Sequence, residues 1–278
     1  MPNLTQLASH NVNSGIAWDL AWSAGGSLLA TCGQDCAVKV FSYTTDPASE
    51  PPKLKLICQT VPGAFSRTIR SVNWSADGRT LAAACFDATA ALLTVDPPAA
   101  GAAPDAVAAI RVMTILEGHE SEVKDVAFAG SGSLLATCSR DRSVWLWEVD
   151  AADGDAECVA VLNGHQGDVK RLAWHPSREM LVSCSYDNTA RVWEEQVAGA
   201  VDDWYSSSTL SAHSATVWSA AFSPSGAHLA TVSADRALVI WSRAPGPPTA
   251  AGAAAGSKWA VAARDDARHT GAVLCVAW

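Results

Sequence analysis

Short runs of apolar and β-branched residues, set apart by Asp-centred turns, recur along this chain. In "SLLATCS" (133–139), Leu134, Ala136 and Cys138 alternate with Leu135, Thr137 and Ser139, the period-two pattern of a strand. "SVWLW" (143–147) is β-branched and aromatic, and Arg140, Asp141 and Arg142 separate the two runs as a hairpin turn. Neither face is cleanly polar, as expected of sheets covered by other sheets on both sides.

Four residue types return at fixed spacing within this pattern. They are His119, Ser139, Asp141 and Trp147; His165, Ser185, Asp187 and Trp193; and His213, Ser233, Asp235 and Trp241. In each set His precedes Asp by 22 residues and Trp by 28. Two copies carry substitutions: Asn13, Gly33, Asp35 and Phe41, then Phe65, Cys85, Asp87 and Leu93. Another opens at His269 and reaches Trp278. A repeat of this kind predicts a modular all-β architecture that binds rather than catalyses. His, Ser and Asp are also the inventory of a hydrolytic triad. A triad is needed once, whereas this set recurs and decays as a packing network does.

"LEGHESEVKDVAFAGSGSLLATCSRDRSVWLWEVD" (116–150) resembles one WD repeat, with its Gly-His opening, Asp turn and closing Trp, and with Glu148 where Asp is usual. The resemblance implies a WD40 β-propeller of four-stranded blades. Five blades are complete here and a sixth begins, in a family whose intact ring has seven. The repeats fall at about 10–44, 62–95, 116–150, 162–196, 210–242 and 267–278 of a single domain covering 1–278. We therefore expect a C-terminal truncation, since an unclosed ring would expose strand edges. "LTQLA" (4–8) suits the strand that closes such rings. In the family the His, Ser, Asp and Trp form a buried network joining the inter-blade loop to the tight turn, stabilising when every donor and acceptor is partnered. The Ala-, Gly- and Pro-rich segments 96–109 and 243–260, and the shorter 44–52, read as flexible surface insertions.

Twelve Trp against three Tyr and five Phe are unusual, and most sit at repeat-equivalent positions. A net charge of −9 argues against sequence-independent nucleic-acid binding. No stretch has the apolar length of a membrane span, and the first residues lack a secretory pattern. Of eight cysteines, Cys32, Cys85, Cys138 and Cys184 read as small core residues. Cys32 and Cys36 lack a second pair for zinc, and nothing shows the ligand spacing of a cysteine-held cluster. No metal and no resident cofactor are expected, and the missing disulfide framework favours a reducing compartment.

A narrower resemblance follows from the order of the segments. "IAWDLAWSAGGSLLATCGQD" (16–35), "RTIRSVNWSADGRTLAAACFDAT" (67–89), "LLATCSRDRSVWLWEVD" (134–150), "ECVAVLNGHQGDVKRLAWHPSREMLVSCSYDNTARVW" (157–193) and "HSATVWSAAFSPSGAHLATVSADR" (213–236) look like the WD-repeat protein of the cytosolic iron–sulfur assembly (CIA) machinery. That resemblance implies a non-catalytic platform of the CIA targeting complex. It would join a helical-repeat subunit and a small α/β subunit and help deliver iron–sulfur clusters to apoproteins. The implied address is the cytoplasm, with the nucleus open. The alternative is another WD40 adaptor, such as a ubiquitin-ligase substrate receptor or a chromatin-complex subunit. The Trp-Asp-x-Arg signature frequent in such receptors is missing from 147–150, 193–196 and 241–244. A third reading, an enzyme in the central channel, would need carboxylates or metal ligands converging on the axis, and the sequence shows no such cluster apart from the repeats.

On a propeller the residue before the turn Asp and the residue five after the His position share one rim. The first set is Gln34, Phe86, Arg140, Tyr186 and Ala234; the second is Trp18, Arg70, Lys124, Lys170 and Trp218. The candidate partner-binding residues are therefore Arg140, Tyr186, Phe86, Arg70, Lys124, Lys170, Trp18 and Trp218, rich in types favoured at hot spots. The bland alternative is ordinary solvated lysines and half-buried aromatics. By the resemblance, Arg140 matches a surface Arg implicated in function, and its planar fork suits a partner's carboxylate.

Overall fold

The computed structural model describes residues 9–44, 53–96, 109–150, 153–196, 203–243 and 259–278. The proposed closing strand 4–8 and nearly all of the three insertions lie outside them. The described chain is all-β, five antiparallel meanders of four strands each. Among the described residues no helix is long and apolar enough to cross a membrane.

Blade one is β1 (Ala17–Trp22), β2 (Leu28–Gly33), β3 (Val38–Thr44) and β4 (Lys53–Gln59). Blade two is β5 (Ile69–Trp74), β6 (Thr80–Cys85), β7 (Ala90–Asp96) and β8 (Ala109–Leu116). Blade three is β9 (Val123–Phe128), β10 (Leu134–Ser139), β11 (Ser143–Val149) and β12 (Ala156–Asn163). Blade four is β13 (Val169–Trp174), β14 (Met180–Ser185), β15 (Ala190–Gln196) and β16 (Asp203–Leu210). Blade five is β17 (Val217–Phe222), β18 (His228–Ser233), β19 (Leu238–Arg243) and β20 (Trp259–Asp265). The innermost strands β1, β5, β9, β13 and β17 lie side by side in that order.

Strand alternation decides which neighbour each side chain meets. In β6, Ala83 and Cys85 pack toward blade one with Val40 and Cys58, while Ala82 and Ala84 pack toward blade three with Val126 and Leu135. Small residues on both faces let the sheets approach closely. Cys32, Cys85, Cys138 and Cys184 are fully buried, and burial pushes the Cys85 thiol up to about 12. The hairpin turns repeat as well. The residue after each turn Asp, namely Cys36, Ala88, Arg142, Asn188 and Arg236, has a positive φ between 57° and 75°, a conformation only Gly and Asn adopt without cost.

The sixth copy behaves as the start of another inner strand. Trp278 Nε1 donates to the Ala221 carbonyl at 2.8 Å, just as Trp74 donates to Ala21 and Trp174 to Ala127. Blade one presents the opposite situation. Leu20 on β1 is 60% exposed, whereas its repeat equivalents Val72 and Val126 are 2% exposed against a preceding blade. Ile16, Trp18 and Trp22 are exposed with it.

Candidate functional site

The buried networks differ from the sequence expectation in one member. In blade three Trp147 Nε1 donates to Thr137 Oγ1 at 3.0 Å, Thr137 lies 2.8 Å from His119 Nε2, and His119 Nδ1 lies 2.7 Å from Asp141 Oδ2. A neutral His119 protonated on Nδ1 satisfies the whole chain of donors. Blade four uses Ser183 between Trp193 and His165, and blade five uses Thr231 between Trp241 and His213. The hydroxyl joining His to Trp is therefore two residues earlier than Ser139, Ser185 and Ser233. Those serines sit one pleat further along, at the strand end. Each accepts from the backbone N–H of its turn Asp and donates to a carbonyl of the preceding loop: Ser121, Gly167 and Ala215 respectively.

The decayed copies replace the network by other means. In blade one the Lys39 ammonium takes the histidine's place, 2.5 Å from Asp35 and 3.2 Å from Asn13 Oδ1. In blade two Phe65 and Leu93 join the apolar core, and Asp87 accepts from Ser66 and Thr89 instead.

These networks set an acid limit on stability. Burial opposes ionisation of Asp141 and Asp187, but hydrogen bonds from His119 and Ser143, and from His165 and Thr189, outweigh it and hold both carboxyls well below the usual range. A depressed native value means stability present above about pH 4 and lost as pH falls through that native value. His213 is also lowered, chiefly by burial, so the unfolded chain takes up that proton first, from about pH 6.5 downward. Asp125, raised by burial, acts in the opposite direction. The expected thermal transition drops in two stages on acidification from pH 8 to 3; a midpoint that rises toward pH 4 contradicts this. Asp187→Ala, which strands His165, the Gln166 N–H and Thr189, is expected to cost about 1–3 kcal/mol in denaturant titration.

The rim residues are gathered by a β-bulge. The ladder between the first two strands of every blade skips one residue: Ala17 pairs Gly33 and Asp19 pairs Cys32, leaving Trp18 over. Arg70, Lys124, Lys170 and Trp218 are the extra residues of the other four blades. A bulge re-aims its side chain out of the sheet. Here it turns all five toward the axis, where with Phe86 they line a cavity of about 490 Å³. Arg70 stands 5.0 Å over the Trp18 ring, Lys124 4.1 Å over Phe86, and Lys170 5.5 Å from Tyr186 and 5.6 Å from Trp218. Three of these contacts join neighbouring blades and the Lys170–Tyr186 contact lies within blade four, so cations and rings hold one another in place.

Arg140 and Tyr186 lie outside that cavity lining. Arg140 is exposed, and its Nη1 sits 3.2 Å from Glu122. Glu122 is held down to about 2, first by the Ser121 hydroxyl. Tyr186 is exposed beside Lys170. Gln34 and Ala234 from the same set are not part of the cavity lining.

A layer that the sequence reading missed forms the floor. Asp19, Ser71, Asp125, Arg171 and Ser219 each follow the His position by six residues. Arg171 Nη1 lies 3.3 Å from Asp19 and 3.5 Å from Asp125, joining blade four to blades one and three. Ser71 Oγ lies 2.7 Å from Asp19 and 2.6 Å from Asp125. Asp125 also accepts from the Leu172 N–H at 2.7 Å. Two carboxylates therefore do converge on the axis, contrary to expectation, but a guanidinium and a hydroxyl engage them. Among the described residues no group of three His, Cys, Asp or Glu could hold a metal ion. Leu274 and Cys275, the sixth-copy equivalents, complete the lining.

The family described as "WD domain, G-beta repeat" matches residues 2–42, 57–92, 110–148, 156–194 and 204–242. A Caenorhabditis elegans relative, "Probable cytosolic iron-sulfur protein assembly protein CIAO1 homolog", is 40% identical over 134 residues, 48% of this chain and 36% of the relative. "Probable cytosolic iron-sulfur protein assembly protein 1" of Vanderwaltozyma polyspora is 41% identical over 235 residues, 81% of this chain and 66% of its own length. "Probable cytosolic Fe-S cluster assembly factor" of Schizosaccharomyces japonicus is 43% identical over 231 residues, 82% of this chain and 34% of its own. The chain thus spans well under two thirds of several curated relatives, 36% of the Caenorhabditis elegans protein and 41% of a Cryptococcus neoformans "Probable cytosolic iron-sulfur protein assembly protein 1".

Proposed function

Since this chain belongs to the WD-domain, G-beta repeat family, we propose that it is a non-catalytic adaptor of the cytosolic iron–sulfur targeting complex. The observation that carries the reading is the alignment, over about four fifths of the chain, with relatives named for cytosolic iron–sulfur assembly. The geometry supports it. Rigid sheets hold cations and aromatic rings at one rim, so a partner meets a surface that loses little freedom on binding. The cluster itself is cargo, and the adaptor has no need to hold it.

In this reading the helical-repeat and small α/β subunits of the complex dock on the blades, and apoproteins approach the rim that carries Arg140, Tyr186 and the axial mouth. The working address is the cytoplasm, with the nucleus reached through nuclear clients. Leu20 and Trp22, exposed on β1, form an apolar patch of the kind that another protein surface covers in the assembled complex. The test is depletion of the protein in its own cells. Cytosolic iron–sulfur enzymes are expected to lose activity and radioactive iron incorporation while mitochondrial ones keep theirs; unchanged incorporation in the cytosol overturns the reading.

A further inference from the structure

The axial cavity concentrates more positive charge than its surroundings. Its lining carries Arg70, Lys124, Lys170 and Arg171 against a single carboxylate, Asp19, in a chain whose net charge is −9. Lys170 is paired with Asp168 at 3.0 Å, and Arg171 with Asp19 and Asp125. Arg70 and Lys124 have no such partner. Among the described residues neither makes an ion pair: Arg70 donates from Nη1 to the neutral Trp18 carbonyl at 3.4 Å and stands over the Trp18 ring, and Lys124 stands over the Phe86 ring. Positive charge left over in a concave site, with apolar walls that weaken solvent screening, focuses potential toward an anion.

We propose that this mouth binds a small ligand bearing two or more phosphate groups. Three features select that class. The volume, about 490 Å³, lies in the range of small-molecule sites and is too small for a folded partner element. The cations come from three adjacent blades, β5, β9 and β13, so one compact ligand must answer several charges at once. Phosphate groups concentrate more charge and more acceptor oxygens in that space than carboxylates do. The ring contacts also hold the cations in place beforehand, so little side-chain freedom is lost when a ligand arrives. The Lys124 ammonium is disfavoured by burial first, with Lys170 and Arg140 adding repulsion against the pull of Glu122; a bound anion removes that penalty. Asp19 and Asp125 on the floor repel such a ligand, which places it at the level of the bulge residues, above Arg171. The proposal goes beyond the adaptor reading and stands or falls without it.

The experiment is calorimetric titration of the full chain with sodium tripolyphosphate, alongside sulfate and an acidic peptide of glutamates. One-to-one saturable binding is expected for tripolyphosphate, falling steeply as salt rises. The Lys124→Met, Lys170→Met double variant should weaken it by about tenfold or more, as the loss of charge-assisted hydrogen bonds implies. A second readout needs no variant: Cys275, exposed in the mouth wall, should be alkylated several-fold more slowly with tripolyphosphate present, while Cys36 and Cys158 are unaffected. Absence of saturable binding, binding indifferent to Lys124 and Lys170 with Cys275 unprotected, or capture of the acidic peptide in preference to tripolyphosphate would each overturn the proposal.

Discussion

Replacing Arg171 with Met is expected to destabilise the propeller by about 3–5 kcal/mol, toward the lower end because the guanidinium is partly exposed. The side chain bridges three blades, and its loss leaves Asp125, buried, and Asp19 facing each other with only Ser71 between them. Ser71 has one proton to give and cannot satisfy both as carboxylates. Arg171 is held more firmly protonated by Asp125 above all, while Asp125 is itself raised by burial. The pair thus offsets a desolvation cost rather than adding a surplus. Asp125→Asn should for that reason cost less than Arg171→Met, and the two together should cost less than their sum. Urea midpoints across this cycle check it. A change below about 1 kcal/mol for Arg171→Met would mean the pair is solvated like a surface bridge.

Arg140→Glu is expected to abolish partner capture while leaving the fold standing. Arg140 is 59% exposed in its side chain and touches Glu122 through Nη1 alone among the described residues. Such a pair contributes at most about 1 kcal/mol, so the thermal midpoint should move by only a few degrees, about 4 °C or less. The reversed charge, beside Glu122 and one blade from Asp168, would turn the proposed anchor for carboxylates into a repulsive patch. Arg140→Lys should keep the charge but lose the fork, and so retain part of the capture. Full capture by Arg140→Glu, or a variant that unfolds, removes Arg140 from the interface.

The sequence made the blades legible because His, Asp and Trp repeat at fixed intervals, and the alternation in 133–139 already placed Thr137 and Ser139 on one face. It did not say which of those hydroxyls meets the histidine. That depends on where the imidazole ring crosses the pleat, and the ring crosses at Thr137. The half of the rim set five residues after each His position was readable because a bulge recurs there in every blade, whereas of the residues before the turn Asp only Phe86 reaches the cavity. The axial floor was missed for a different reason. Asp19 and Arg171 are 152 residues apart and differ in type at equivalent positions, so no spacing within one repeat announces their pairing. Comparing the sixth position after each His across the repeats would have shown Asp, Ser, Asp, Arg and Ser facing one axis. In blade one, Lys39 standing in for histidine was hidden similarly, because the replacement comes from another strand.

Affinity capture of the endogenous tagged protein, with mass spectrometry of bait and prey together, tests the central claim most directly. The expected result is recovery of a helical-repeat subunit and a small α/β subunit of the iron–sulfur targeting complex, along with iron–sulfur apoproteins. Recovery of ubiquitin-ligase or chromatin subunits in their place would contradict the assignment, leaving the propeller and its axial mouth in need of a different partner.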